Sequence, residues 1–373
     1  MHALFTTKAA QLLESAEITI NGTQPHDPQV HDSGVYLRTF VWGSLGLGDA
    51  YVSGMWDCQR LDEFFYRVLR AQLENNIGQL SDLLLRFRDS VFNLQSVRRA
   101  FQVGQQHYDI GNRLYEYMLG ESMAYSAGYY GTGATTLTEA QYAKFDLVCK
   151  KLELQPGMRV LEIGSGWGTF AAYAAKKYGV SVVGITVSKE QLAFAAEHCK
   201  DLPVTFYLGD YRTLPQEYDN SFDRVVSIEM IEAVGLKNLR AYMEVAHRAL
   251  KERGAFLIQA ILGQGLPDVW LSTRIFPNGV LPSLTHLEVA VRGLFSMREV
   301  DRFGQDYDKT LMAWDERFRG AWNDIKETTD STGRKLYDER FYRMWRYYLM
   351  VCAGSFRARK IDVCQILLER NAA

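Results

Sequence analysis

The 373-residue chain has no uninterrupted apolar run of about 18 residues, so no bilayer-spanning helix is expected. Its first 22 residues lack a basic stretch followed by a long apolar segment, which excludes an ordinary secretory signal there. Cysteine is sparse: Cys58, Cys149, Cys199, Cys352 and Cys364 have no CxxC spacing, which argues against a structural zinc site and fits reduced thiols. An excess of one charge is missing as well. The 42 basic and 44 acidic side chains leave a net charge of −2, so no global field points to nucleic acid. Neither an internal repeat nor a low-complexity tract interrupts the chain. These absences predict a cytoplasmic protein that meets any lipid substrate from the water side, peripherally at the inner membrane surface.

What is present suffices for a sizeable core, with 47% hydrophobic residues and 23% charged ones. The length predicts a larger catalytic domain and a smaller companion. Between Ala9 and Ala71 a helical start, the alternating Glu17-Ile-Thr-Ile-Asn-Gly22 and the glycine-punctuated Gly43-Ser-Leu-Gly-Leu-Gly48 suggest a small α/β unit. Asn76 to Gln95 reads as a connecting arm, which divides the chain into residues 1–95 and a catalytic domain of residues 96–373.

From Arg159 to Ile261, short β-rich runs alternate with amphipathic stretches, the pattern of an α/β, doubly wound sheet of parallel strands joined by helices. The expected strands are Arg159 to Ile163, Val180 to Thr186, Val204 to Leu208, Phe222 to Ile228 and Ala255 to Ile261. Helices are expected near Phe170 to Tyr178, Lys189 to Lys200 and Asn238 to Lys251. Ligands in such sheets bind beyond the carboxyl ends of the strands, so the loops after Ile163, Thr186, Gly209 and Ile228 should surround one pocket. Gly263 to Pro282 has little periodicity and suits a lid. Asp308 to Trp322 and Asp338 to Ser355 read as helices, and Ile361 to Leu368 as a last strand.

Val160-Leu-Glu-Ile-Gly-Ser-Gly-Trp-Gly168 sets an acid at a strand end, then three alternate glycines, then a helix. Glycine lets the backbone turn with positive φ and approach a ligand closely. Dinucleotide enzymes use similar loops, but the strand-end Glu162 fits the class I methyltransferase pattern E/DxGxGxG, in which this acid orients the methionine end of S-adenosylmethionine. Glu162, Gly164 and Gly166 are therefore candidate cofactor residues. Thr186 and Gln191 flank the second strand's end and suit the ribose or methionine portion; Asp210 and Tyr211 end the third and could frame adenine. An unliganded strand-to-helix turn is the bland alternative.

With these motifs the chain resembles the bacterial cyclopropane fatty acyl phospholipid synthases over nearly its full length. The resemblance is carried by Gly43 to Asp49, Phe92-Asn-Leu-Gln95, His107-Tyr-Asp-Ile-Gly-Asn112, Tyr125-Ser126, Val160 to Gly168, Ile275-Phe-Pro-Asn-Gly279, Tyr307 to Trp314 and Cys352 to Arg359. It implies transfer of a one-carbon unit from S-adenosylmethionine to the double bond of an unsaturated phospholipid acyl chain, and it adds Tyr125 and Ser126 to the cofactor residues. In such chemistry the alkene attacks the sulfonium methyl, and the resulting carbocation loses a proton to close a three-membered ring. A dry cavity and a base are then required, and aromatic faces favour the cation.

The resemblance further implies a bound bicarbonate as that base, caged by a cysteine, a glutamate, a histidine and a tyrosine. Glu232 stands for the glutamate and Tyr307 for the tyrosine; Ala127 occupies the cysteine position, Gln259 the histidine position, and Ile261 could offer its backbone amide. Glutamine can still donate to an anion; alanine has no such side chain. Without an effective base the cation would shift and lose a proton elsewhere, so a lipid C-methyltransferase giving methyl- or methylene-branched chains is the runner-up. A small-molecule methyltransferase of the same fold and a non-catalytic lipid-binding protein are the remaining alternatives. The family also makes a homodimer an open option.

Two features stay ambiguous in the linear chain. His107 either touches the cofactor or fixes a loop. Arg340, Arg343, Arg346, Arg357 and Arg359 interleave with Tyr342, Trp345, Tyr347 and Phe356, which suits either an anionic headgroup surface or a helix packing its aromatic face.

Overall fold

Strands rich in Val, Ile and Leu, buried on both faces, build the centre of this protein, as parallel sheets covered by helices require. A computed structural model describes residues 2–73, 111–263, 268–277, 279–330 and 332–371. The arm expected over Asn76 to Gln95, and His107, lie outside the described residues. The chain divides into two compact units, one of residues 1–93, 265–277 and 308–361, the other of residues 94–264, 278–307 and 362–373. The amino-terminal segment thus folds with two later stretches, a composition that differs from the contiguous division at residue 95.

In the first unit the alternating segment Glu17 to Gly22 forms no strand. Asp27 instead draws the backbone amides of Thr19 and Gln24 onto its carboxylate, and Asn21 takes φ +55, so the alternating residues form turns. Only two-residue strands, β1 (Gln29–Val30) and β2 (Trp56–Asp57), pair here. The glycine-punctuated stretch lies inside the helix Gly34–Val52, which kinks at Gly43. Its glycines serve close packing: a Cβ on Gly48 would come within 2.4 Å of the Trp270 indole. Trp270 belongs to the short helix Val269–Arg274, within the segment expected as a lid.

The late helix Glu339–Arg357 turns its aromatic face inward, with Trp345, Tyr347, Tyr348 and Phe356 buried. Three of its arginines are occupied within this unit. Arg343 donates to the carbonyls of Tyr51 and Trp56, Arg346 pairs with Asp315, and Arg357 pairs with Asp308 and Asp62. Packing, rather than a headgroup surface, accounts for these side chains.

The second unit holds a seven-stranded sheet in the order β5-β4-β3-β6-β7-β9-β8. Its strands are β3 (Arg159–Ile163), β4 (Ser181–Thr186), β5 (Val204–Leu208), β6 (Phe222–Ile228), β7 (Leu250–Gly263), β8 (Phe295–Arg302) and β9 (Ile361–Arg370). The five from β5 to β7 are parallel, and β8 runs antiparallel to β9. Strand order reverses on either side of β3, so β3 and β6 flank the switch point where such sheets open a ligand crevice. Leu161, Ile163, Val225, Phe256 and Ile258 fill one core face, while Val160, Val182, Val226 and Leu257 face the other, against the helices Leu137–Lys151 and Thr169–Tyr178. This is the doubly wound α/β fold.

Candidate active site

At the end of β3 the chain turns through Gly164, Gly166 and Gly168 at φ +88, +53 and +78, a conformation that favours glycine. The turn is anchored to β4, because the amides of Gly164 and Ser165 donate to the Ile185 carbonyl at 3.0 and 2.8 Å. A Cβ on Gly164 would strike Met230, whereas one on Gly166 meets nothing within 4 Å. The backbone at Gly166 therefore borders open space. Around it lie buried polar atoms without a protein partner: Glu162 Oε2 and Ser165 Oγ. Burial raises the Glu162 carboxyl well above its ordinary value, and Lys144 works against that rise. Unpaired buried polar groups are costly, and a ligand with a cationic head and hydroxyls would satisfy them, so the residues present fit S-adenosylmethionine.

The neighbouring groups are placed as follows. At the end of β4 the Thr186 hydroxyl donates to Gln191 Oε1 at 2.8 Å and accepts from the Ser188 amide. Asp210, after β5, holds Arg212 in a bidentate pair. Tyr211 turns into the apolar core, edge-on to Tyr242 with centroids 5.1 Å apart. Tyr125 stands edge-on to Tyr115, whose ring lies 4.8 Å from Trp167 of the glycine loop. Ser126 accepts a 2.6 Å hydrogen bond from the Lys144 ammonium. Lys144 is fully buried, and desolvation lowers its pKa to about 7 against the pull of Glu229 and Glu162.

A second cluster forms where β6 ends. Ile228 is opposite Gln259 of β7, and the next residue, Glu229, swings to φ +50 with its amide donating to the Gln259 carbonyl at 2.7 Å. Its carboxylate becomes a hub: Oε1 accepts from the Ala127 amide at 2.9 Å and from Gln259 Nε2 at 2.8 Å, and Oε2 accepts from the Tyr307 hydroxyl at 2.7 Å. Gln259 is oriented from behind, since Gln365 of β9 donates to its Oε1 at 3.0 Å. That bond leaves the Gln259 amide nitrogen facing the carboxylate. Burial raises the Glu229 carboxyl, while its three donors and Lys144 lower it.

Glu232 makes none of those bonds. It accepts the Ile261 amide at 2.5 Å and leaves its other oxygen unpartnered. Burial and the adjacent Glu229 charge push its carboxyl up to about 8. The structure therefore brings Tyr307 and Gln259 together, but around Glu229 rather than Glu232. Glu229 and Lys144 were missed in the linear reading. The available signal was that Ser227-Ile-Glu-Met-Ile-Glu-Ala233 offers two carboxylates, just where two expected anion ligands had changed. Among the described residues, no group of three or more His, Cys, Asp or Glu could hold a metal.

A family model for mycolic acid cyclopropane synthetase matches residues 95–366. The chain belongs to that family. It is 46% identical over 367 residues to the cyclopropane-fatty-acyl-phospholipid synthase of Escherichia coli K12, covering 97% of this chain and 93% of that protein. Cyclopropane mycolic acid synthase 1 of Mycobacterium tuberculosis is 33% identical over 71% of this chain and 96% of its own length. A mycolic acid cyclopropane synthase solved with S-adenosylhomocysteine and CTAB superposes with a TM-score of 0.66 at 31% identity, covering 72% of this chain and 98% of that one. This family member is accordingly an S-adenosylmethionine-dependent methyltransferase.

Proposed function

We propose that this synthase transfers a one-carbon unit to the double bond of an unsaturated acyl chain in phospholipid and closes a cyclopropane ring. The observation that carries the reading is the pairing of an open glycine loop, beside the unpartnered Glu162 carboxylate, with a carboxylate hub at the adjoining strand end. When bound, S-adenosylmethionine supplies the electrophilic methyl. Glu162 would hold the methionine end, with Thr186, Gln191 and Ser126 beside it, and Asp210 would serve the nucleoside. Tyr125, Tyr115 and Trp167 line up an aromatic wall that excludes water and favours a transient cation.

The phospholipid is met at a membrane surface. Among the described residues no helix is long and apolar enough to cross a membrane. Leu37, Val41 and Trp42 share one side of the helix Gly34–Val52 and stay exposed, Trp42 at 47%. Exposed apolar side chains with a tryptophan suit a bilayer interface.

Incubation with vesicles of unsaturated phosphatidylethanolamine and methyl-deuterated cofactor tests the reading by mass spectrometry of the acyl chains. A mass gain retaining two deuteriums, with loss of the alkene, is expected. Three retained deuteriums would establish the methyl-branched product instead, and no label on lipid would refute the proposal.

A further inference from the structure

The expected bicarbonate does not fit the residues present. Its surviving donors are the Ala127 backbone, Gln259 and Tyr307, and each of the three already donates a hydrogen bond to Glu229. A small anion placed there would meet a carboxylate instead of a cage of donors, and like charges at such range repel. Resting on the function proposed above, we propose that Glu229 is the chain's own base for ring closure, a covalently fixed anion in place of a free one.

Three further observations support it. Glu229 sits at φ +50, where glycine is the favoured residue, so a glutamate is kept there against local strain. The residue as a whole is only partly buried. Its two oxygens also differ: Oε1 takes two hydrogen bonds, Oε2 takes one from Tyr307. Oε2 therefore retains a free lone pair. In the step assigned to it, a C–H bond of the transferred methyl breaks and its electron pair forms the third ring bond at the cationic carbon. The proton passes to Oε2, leaving a neutral cyclopropane and a carboxylic acid. The buried Lys144 ammonium, hydrogen-bonded to Ser126, favours the ionised carboxylate beforehand.

The test uses the full chain, unsaturated phospholipid vesicles and labelled cofactor in buffer scrubbed of carbon dioxide, with and without added bicarbonate. Ring formation by the native protein is expected to change by less than about twofold on adding bicarbonate, since no ion binding is required. Glu229→Gln keeps the shape but not the basicity and should lose at least ~100-fold in ring formation, with cofactor binding retained. Glu229→Gly should regain ring formation when bicarbonate or formate is supplied. A native rate that collapses without bicarbonate, or a Gln variant that closes the ring at nearly the native rate, overturns the proposal. Failure of the Gly variant to respond to either anion does so too. If Glu229→Gln does not fold by circular dichroism, the bicarbonate response of the native protein decides alone. Absence of lipid labelling by the native protein would instead overturn the underlying function.

Discussion

Replacing Glu232 by Gln should make the pH dependence of stability visible at one carboxyl. Glu232 is pushed from the ordinary 4.5 up to about 8 by burial and by the Glu229 charge. In the unfolded chain it ionises near its ordinary value, so between about pH 4.5 and pH 8 the native state binds one more proton than the unfolded state. Stability is then fully present below the unfolded value and falls as pH rises toward 8, by about 1.4 kcal/mol per pH unit for one proton. Across the whole window this amounts to roughly 5 kcal/mol, and because the residue keeps some solvent access, screening trims the expected loss to about 2–5 kcal/mol. Glutamine preserves the acceptor for the Ile261 amide and does not titrate. Urea unfolding of both proteins at steps from pH 5 to pH 9 should show the variant gaining on the native protein as pH rises, with the difference levelling off above pH 8. A difference that stays constant within about 0.5 kcal/mol, the spread of an ordinary surface substitution, would refute the assignment of a raised, site-buried carboxyl.

Two further outcomes follow from the geometry. Gly166→Ala places a Cβ in open space at φ +53, so the fold should lose only about 1 kcal/mol, while affinity for S-adenosylmethionine should fall at least ~10-fold if the cofactor occupies that space; calorimetric titration distinguishes the two effects. Gln365→Leu removes the donor that aims Gln259 at Glu229 and leaves a buried carbonyl unpaired, a cost of about 1–3 kcal/mol. Its kcat for ring formation should drop about tenfold with KM unchanged, and a matched fall in cofactor affinity would contradict the positioning role.

The linear chain specified the sheet core well. Strands β3, β5 and β6 have the bounds expected from their β-rich runs, and glycine follows β3 and β5 directly. The glycine loop was legible for a related reason: φ beyond +50 at alternate residues is a local backbone demand that only glycine meets cheaply. Strand β8 was not legible. Its residues Phe295-Ser-Met-Arg-Glu-Val-Asp-Arg302 look like a solvated segment, and they form an edge strand because β9 offers a partner 60 or more residues away.

The carboxylate hub was the tertiary structure's decision. In sequence the resemblance points to Glu232 and passes over Glu229, three residues before it. The left-handed turn at Glu229 and the convergence of Ala127, Gln259 and Tyr307 from distant positions separate one carboxylate from the other. Local backbone chemistry can be read from neighbours in the chain, but the charge state and role of a carboxylate depend on donors that only folding brings to it.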